Sequence, residues 1–279
     1  MGFGTSHIQY KTPQGFNKSN HWGLNDIGIN VFYKITPNLF AVTGFQGRYN
    51  SSTLNANNVE IGQKIDNPYT GNQQDNMAFY STKFNSYQER QDMYSLLIPV
   101  GLSYKYTLAE NLALCALTGI KFGPSVVQSK VTSNIDYQNS TIDFPYSDNT
   151  FTLKDLFDNY GVGLENSGTK KAKGYIFRMD ALYTIEAGVK WKIPGDNGNI
   201  YCGIYADFGL VNYTSPTKSN IVNLSFDENA ASINIATSIL NAKNEIFTNP
   251  QNIKSKNYIE KANSMVVGMK LSYGLPIEK

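Results

Sequence analysis

Between Tyr175 and Ile193 every second residue is uncharged: Phe177, Met179, Ala181, Tyr183, Ile185, Ala187, Val189 and Trp191. The intervening parity reads Arg178, Asp180, Leu182, Thr184, Glu186, Gly188 and Lys190. Side chains of a strand alternate between its two faces, so this is one continuous strand with an apolar face and a mostly charged one. Wound into a helix, the same charges would scatter around the whole circumference. The run is also longer than the roughly 5–6 residues of an ordinary globular strand, whereas a tilted bilayer crossing takes about 9–11. An uncharged face ending in Trp191 suits acyl chains, and the stretch is read as a membrane-spanning strand.

Composition points the same way. Charged residues make up 16% of the chain, well below the roughly 25% of soluble domains. Aromatics reach 13%, which suits a barrel with aromatic girdles at both membrane interfaces. No apolar run approaches the roughly 18 residues of a transmembrane helix. A net charge of +2 without a basic run gives no reason to expect a nucleic-acid partner. Met1-Gly2-Phe3 leads straight into polar sequence, so the chain is expected to be a mature form without its secretion leader. Strand parity puts Cys115 on the charged side and Cys202 on the apolar side. A bridge would have to pass through the sheet, which disulfide geometry forbids, so both are expected as space-filling thiols.

The same alternation recurs along the chain. A first strand is expected at 2–11 and a second at 22–36, where Ile27, Ile29, Val31, Tyr33 and Ile35 oppose Asp26, Gly28, Asn30, Phe32 and Lys34. Pro37-Asn38 has the chemistry of a tight turn into strand three, 39–54. Residues 55–91, rich in Asn, Gln, Gly and Ser, read as a long exposed loop. Strands four (92–107) and five (112–130) join near Ala109-Glu110-Asn111, and a second long loop covers 131–173. The opening stretch is strand six. Pro194-Gly195-Asp196-Asn197-Gly198 turns it into strand seven, 199–215, and a third loop covers 216–257. Within that loop the Ala, Ile and Leu spacing over 228–242 predicts a short helix. Strand eight runs from about 258 to 274.

Short turns thus alternate with long polar segments, which in an antiparallel sheet collects all turns at one end and all loops at the other. That is the asymmetry of an all-β, antiparallel up-and-down transmembrane barrel of eight strands, with short periplasmic turns and long extracellular loops. Residues 1–275 form the barrel in this reading, and 276–279 are a tail or the start of a linker. Closure satisfies every backbone N–H and C=O, as hydrocarbon demands. Pro99 removes one donor from strand four and is expected at a bulge. A soluble lipocalin-like barrel would show the same alternation with its apolar face inward. Glycines mixed with charges on the polar face, aromatics at strand ends and long loops weigh against it.

Strand four and its continuation, MYSLLIPVGLSYKYTLAENLALCALTGIKFGPS over residues 93–125, carry a Tyr, an Ile-Pro, alternating aliphatics, a Lys-Tyr, a short turn and a final Gly-x-x-x-Gly-Pro. This stretch resembles the outer-membrane β-barrel domain of Bacteroidetes-type bacteria, similar in architecture to the OmpA and OmpX barrels. The resemblance implies the fold and the Gram-negative outer membrane, with both termini periplasmic. It implies little about activity, because that family is functionally mixed.

Catalytic chemistry is not expected. His7, placed facing inward with Ser6 outward, and His21 at a loop edge match no motif of the barrel enzymes. No His/Cys cluster has metal spacing, Asp227 and Glu228 are too few for Ca²⁺, and no cofactor is expected. The inward charges carry the one derivable mechanism. Arg48, Lys121, Arg178 and Lys270 face Asp26, Asp180, Glu186 and Asp207 in a narrow lumen, where an unpaired buried charge costs several kcal/mol. Glu186, Lys121, Arg48 and Asp207 are expected to form the core of an ion-pair network that plugs the barrel. Tyr33, Tyr104, Tyr106, Trp191 and Tyr273 near the turns, with Tyr49 and Tyr94 near the loops, are expected as the lipid-facing girdle. The expected role is structural or scaffolding, in contact with outer-membrane lipid and lipopolysaccharide. An accessory subunit docking other outer-membrane proteins and a narrow porin-like passive channel are the alternatives. A link to peptidoglycan would require a domain beyond residue 279.

Overall fold

The computed structural model describes residues 1–66, 77–144, 149–152, 154–155, 169–194, 198–214, 219–227, 230–235, 237–249 and 252–275. Eight strands carry the architecture: β1 (Gly2–Gln9), β2 (Phe16–Lys34), β3 (Leu39–Asp66), β4 (Met77–Ala109), β5 (Leu112–Phe144), β7 (Thr169–Lys192), β8 (Asn199–Gly209) and β13 (Asn263–Gly274). Each pairs antiparallel with the next of these along the chain, and β1 pairs with β13, so the sheet is an up-and-down ring. A short β6 (Asn149–Thr152) extends β5. The excursion between β8 and β13 holds two hairpins, β9 (Val222–Asp227) with β10 (Ala230–Ile235) and β11 (Lys243–Asn249) with β12 (Asn252–Asn257).

Three tight connections gather at one end. Ile35 N–H donates to the Leu39 carbonyl across Pro37-Asn38, Ala109 pairs with Leu112, and Ile193 N–H donates to the Gly198 carbonyl. Residues 195–197 of the third connection lie outside the described residues. The N-terminus sits at this end too, with the Met1 amine 2.8 Å from the Leu271 carbonyl.

The strands reach much further than the sequence reading expected. β3 runs to Asp66, β4 starts at Met77, β5 runs to Phe144 and β7 starts at Thr169. The described parts of 55–91 and 131–173 are therefore largely sheet, not loop. Their Asn, Gln and Ser lie mostly on the outer face, while Ala56, Ile61, Phe84, Tyr87, Val131 and Ile135 are buried on the inner one. Segregated by face, polar residues are compatible with a strand whose outer side meets water. Three further expectations fail. The helix over 228–242 is replaced by β10 and a single 3₁₀ turn at Ile239–Asn241, Glu228 being outside the described residues. Ser6 is the inward residue of β1 and His7 the outward one, because β1 faces Val266, Gly268 and Lys270 of β13 through its even positions. Pro99 sits at no bulge. Thr43–Val100 and Gln46–Leu97 keep one register on either side of it, so the ladder is interrupted and not shifted.

A bulge does occur in β2. Register slips by one residue between Gly2/Asp26 and Phe3/Leu24, so both Asn25 and Asp26 turn inward and are buried. Consecutive inward residues are what a bulge permits and a regular strand does not.

Candidate functional site

Along its axis the interior of the ring has three levels. At the short-turn end lies a cavity of about 610 Å³. Asn30, Phe32, Lys105, Cys115, Glu186 and Lys190 are among the residues that face it. Tyr201, which lines it, lies over a facing pair of glycines. Gly188 and Gly203 are cross-strand partners beneath the Tyr201 ring, and a Cβ built on Gly188 would fall 2.7 Å from its hydroxyl. Cys115 and Cys202 are free thiols on opposite faces of the sheet.

The middle level is ionic. Arg48 meets its register partner Asp26 through two hydrogen bonds, Nε to Oδ1 at 2.7 Å and Nη2 to Oδ2 at 3.3 Å. The same Nη2 donates to Asp207 Oδ2, and Lys121 Nζ donates to that oxygen at 2.8 Å. Strands β3 and β8 stand four steps apart whichever way the ring is followed. The Arg48–Asp207 contact therefore spans the diameter, with both side chains fully shielded from solvent. A bidentate guanidinium is the side chain suited to holding two carboxylates at once.

The residues expected in one network divide. Arg48, Lys121, Asp207 and Asp26 form the core, while Glu186 pairs with Lys270 at 2.7 Å, nearer the cavity. Arg178 leaves the network and donates to the Thr214 carbonyl at 3.0 Å. Asp180 accepts from Ser95 at 3.4 Å. Tyr33, Tyr104, Tyr106, Trp191 and Tyr273 are exposed on the outer face toward the turns, as Tyr94 is at the other edge, with Tyr49 half-buried. Trp22 joins them on β2, edge-on to Phe3 at 4.4 Å. The sequence reading had left it unassigned.

The third level is apolar and was missed. Ile221, Val222, Ile239, Leu240 and Ala242 of the β8–β13 excursion pack among Leu54, Phe84, Tyr87 and Ile135 in one buried cluster. Glu89, on the inward parity of β4, anchors them. It receives Tyr87 Oη at 2.7 Å, Gln91 Nε2 at 3.0 Å, Ile239 N–H at 3.0 Å and the Ser238 hydroxyl. Those four donors satisfy a carboxylate that water never reaches. Burial, reinforced by Glu89, pushes the Tyr87 phenol well above its ordinary pKa, and burial holds the nearby Lys18 ammonium down at about 8. At the base of the excursion, Asn212 Oδ1 accepts from Thr214 N–H and Ala262 N–H. A signal for this level was in the sequence: Tyr87, Glu89, Gln91 and Met93 alternate just as the spanning strands do.

No known family, characterised protein or solved structure matches this chain. Among the described residues no group of His, Cys, Asp or Glu is arranged to hold a metal ion.

Proposed function

We propose that this chain is a small outer-membrane β-barrel with a structural role and a closed lumen, its short-turn end in the periplasm and its long end outside. The observation that carries the reading is the inversion of polarity on the outer face. Ile27, Phe45, Leu96, Phe177, Ile204 and Leu271, on six strands, are all more than half exposed on the outside, while Arg48, Asp26, Asp207 and Lys121 are buried within. A soluble protein rarely exposes a contiguous apolar surface of more than a few hundred Å². The band has the height of a bilayer: from Tyr94 to Tyr106, at about 3.3 Å per residue and a tilt of about 40°, it rises about 30 Å. Aromatic residues rim both of its edges, as they do where lipid meets water. The likeness of residues 93–125 to outer-membrane barrel domains favours the same reading.

The closed lumen rests on two barriers, the cross-diameter Arg48–Asp207–Lys121 contact and the apolar plug above it. With these in place the lumen is closed to ions along the described residues, and among these no lumen constellation suits catalysis. The test is reconstitution in lipid vesicles and planar bilayers. The protein inserts and gives no conductance above the bare membrane. A steady open pore would overturn the closed lumen, and failure to insert would overturn the membrane assignment.

A further inference from the structure

The outer face changes character within a few residues above the apolar band. On the neighbouring strands β3, β4, β5 and β7 the residues align in rows across the sheet. One row is Tyr49–Tyr94–Val126–Phe177. The next is Ser51–Asp92–Gln128–Tyr175. The third is Thr53–Arg90–Lys130–Lys173, three cations directly opposite one another. Like charges in register repel, so such a row destabilises the sheet unless something neutralises it. Asp92 is the one acid in these rows, and it is already engaged by Tyr49 and Ser51 at 2.8 Å and by Arg90 at 2.9 Å. Lys130 reaches it only at 4.0 Å, and Lys173 lies over the Tyr175 ring at 5.1 Å. Lys171, one row higher and also exposed, adds a fourth cation. Another lysine on this face is treated differently: Lys83 lies in register between Glu60 and Asp136.

We infer that Arg90, Lys130, Lys171 and Lys173 bind the phosphate-bearing headgroup of an anionic membrane lipid. Its acyl chains lie on Val126, Phe177 and Phe122, directly below. The inference rests on the membrane reading, because the apolar band is what makes the anion a lipid. A phosphate above and hydrocarbon below match this face in both charge and depth, since each basic residue near an anionic membrane surface adds to the attraction.

The test is competition for retained lipid. The protein is reconstituted in nanodiscs of phosphatidylcholine mixed with diphosphoryl lipid A, extracted in mild detergent, and its bound lipid identified by native mass spectrometry. Wild type retains lipid A in preference to phosphatidylcholine. Changing Lys130, Lys171 and Lys173 together to Gln leaves the Arg90–Asp92–Tyr49 contacts intact and lowers that preference on the order of a hundredfold. Lys83→Gln leaves it unchanged. Equal preference in wild type and the triple variant overturns the inference while the membrane reading stands. Displacement of the lipid by millimolar inorganic phosphate also overturns it, by assigning the row to a free anion. Failure to enter phosphatidylcholine nanodiscs at all counts against the membrane reading instead.

Discussion

The lower and upper halves of the ring are built from the same strands with opposite rules. Toward the turns, aliphatic side chains point out and ions point in. Toward the long end, Leu54, Phe84, Val131 and Ile135 point in, while Asn57, Gln88, Lys130 and Lys173 point out. One uninterrupted strand such as β5 carries both patterns without a change of parity: Lys121, Ser125, Val127, Val131 and Ile135 all face inward. The exchange shows that strand geometry is indifferent to which face is apolar. On the membrane reading proposed above, what differs between the halves is the medium outside.

Four measurements probe the contrast between the two halves, the strongest perturbation first. Arg48→Leu leaves Asp26 and Asp207 buried with Lys121 as their remaining ionic partner, and should cost about 3–5 kcal/mol in urea unfolding from vesicles. A loss under 1 kcal/mol would mean that the ionic level contributes little to stability. Next, Ile185→Arg on the lower outer face should cost about 2–4 kcal/mol in a bilayer, whereas Ser86→Lys on the upper outer face should stay within about 0.5 kcal/mol. Equal costs would erase the distinction between the halves.

Glu89→Ala removes the acceptor of Ser238 and Ile239 N–H and should cost about 2–3 kcal/mol. It should also expose the excursion to protease while the ring still runs as a folded species on unheated gels. The smallest effect is one of pH. Lys18 titrates near 8 in the folded protein against 10.5 when free, because burial disfavours its charged form. Between those values the unfolded chain binds a proton that the folded chain does not, so stability should rise with pH from about 8. The rise ends near pH 10, where ionisation of the buried Tyr10 phenol, raised by its own burial, begins to favour unfolding. Lys18→Met should flatten the rise by the share that this one ammonium contributes, and a slope unchanged in that variant would assign it to other amines.

The lower half was legible because its alternation is stark. Phe177 to Trp191 against Arg178 to Lys190 admits one reading, and the short turns at Pro37-Asn38 and Ala109–Asn111 follow from local chemistry. The upper half has the same period but weaker contrast. Its outward Asn, Gln and Ser resemble loop residues, and its inward face mixes Val127 with Ser129 and Tyr87 with Glu89. Average composition over a window conceals such a face, which only residue-by-residue parity reveals. The membership of the ionic core was partly hidden for another reason. Parity identified Arg48, Lys121 and Asp207 as inward, but which of the inward acids meets Arg48 depends on register and on the bulge at Asn25, neither of which the sequence states. Glu186 and Asp26 share an orientation and differ in height.

The contact between Arg48 and Asp207 joins residues 159 positions apart on opposite walls. The two walls meet only when the strands between them have curved round, since β3 and β8 stand four strands apart in either direction. Until that moment Asp207 lacks its guanidinium partner, and an apolar medium is the worst surrounding for a carboxylate only part-paired. For a chain that enters lipid, as proposed above, partial sheets would thereby be held back and entry tied to circular completion. On the closed-lumen reading, the bolt across the passage also requires that the wall around it be whole.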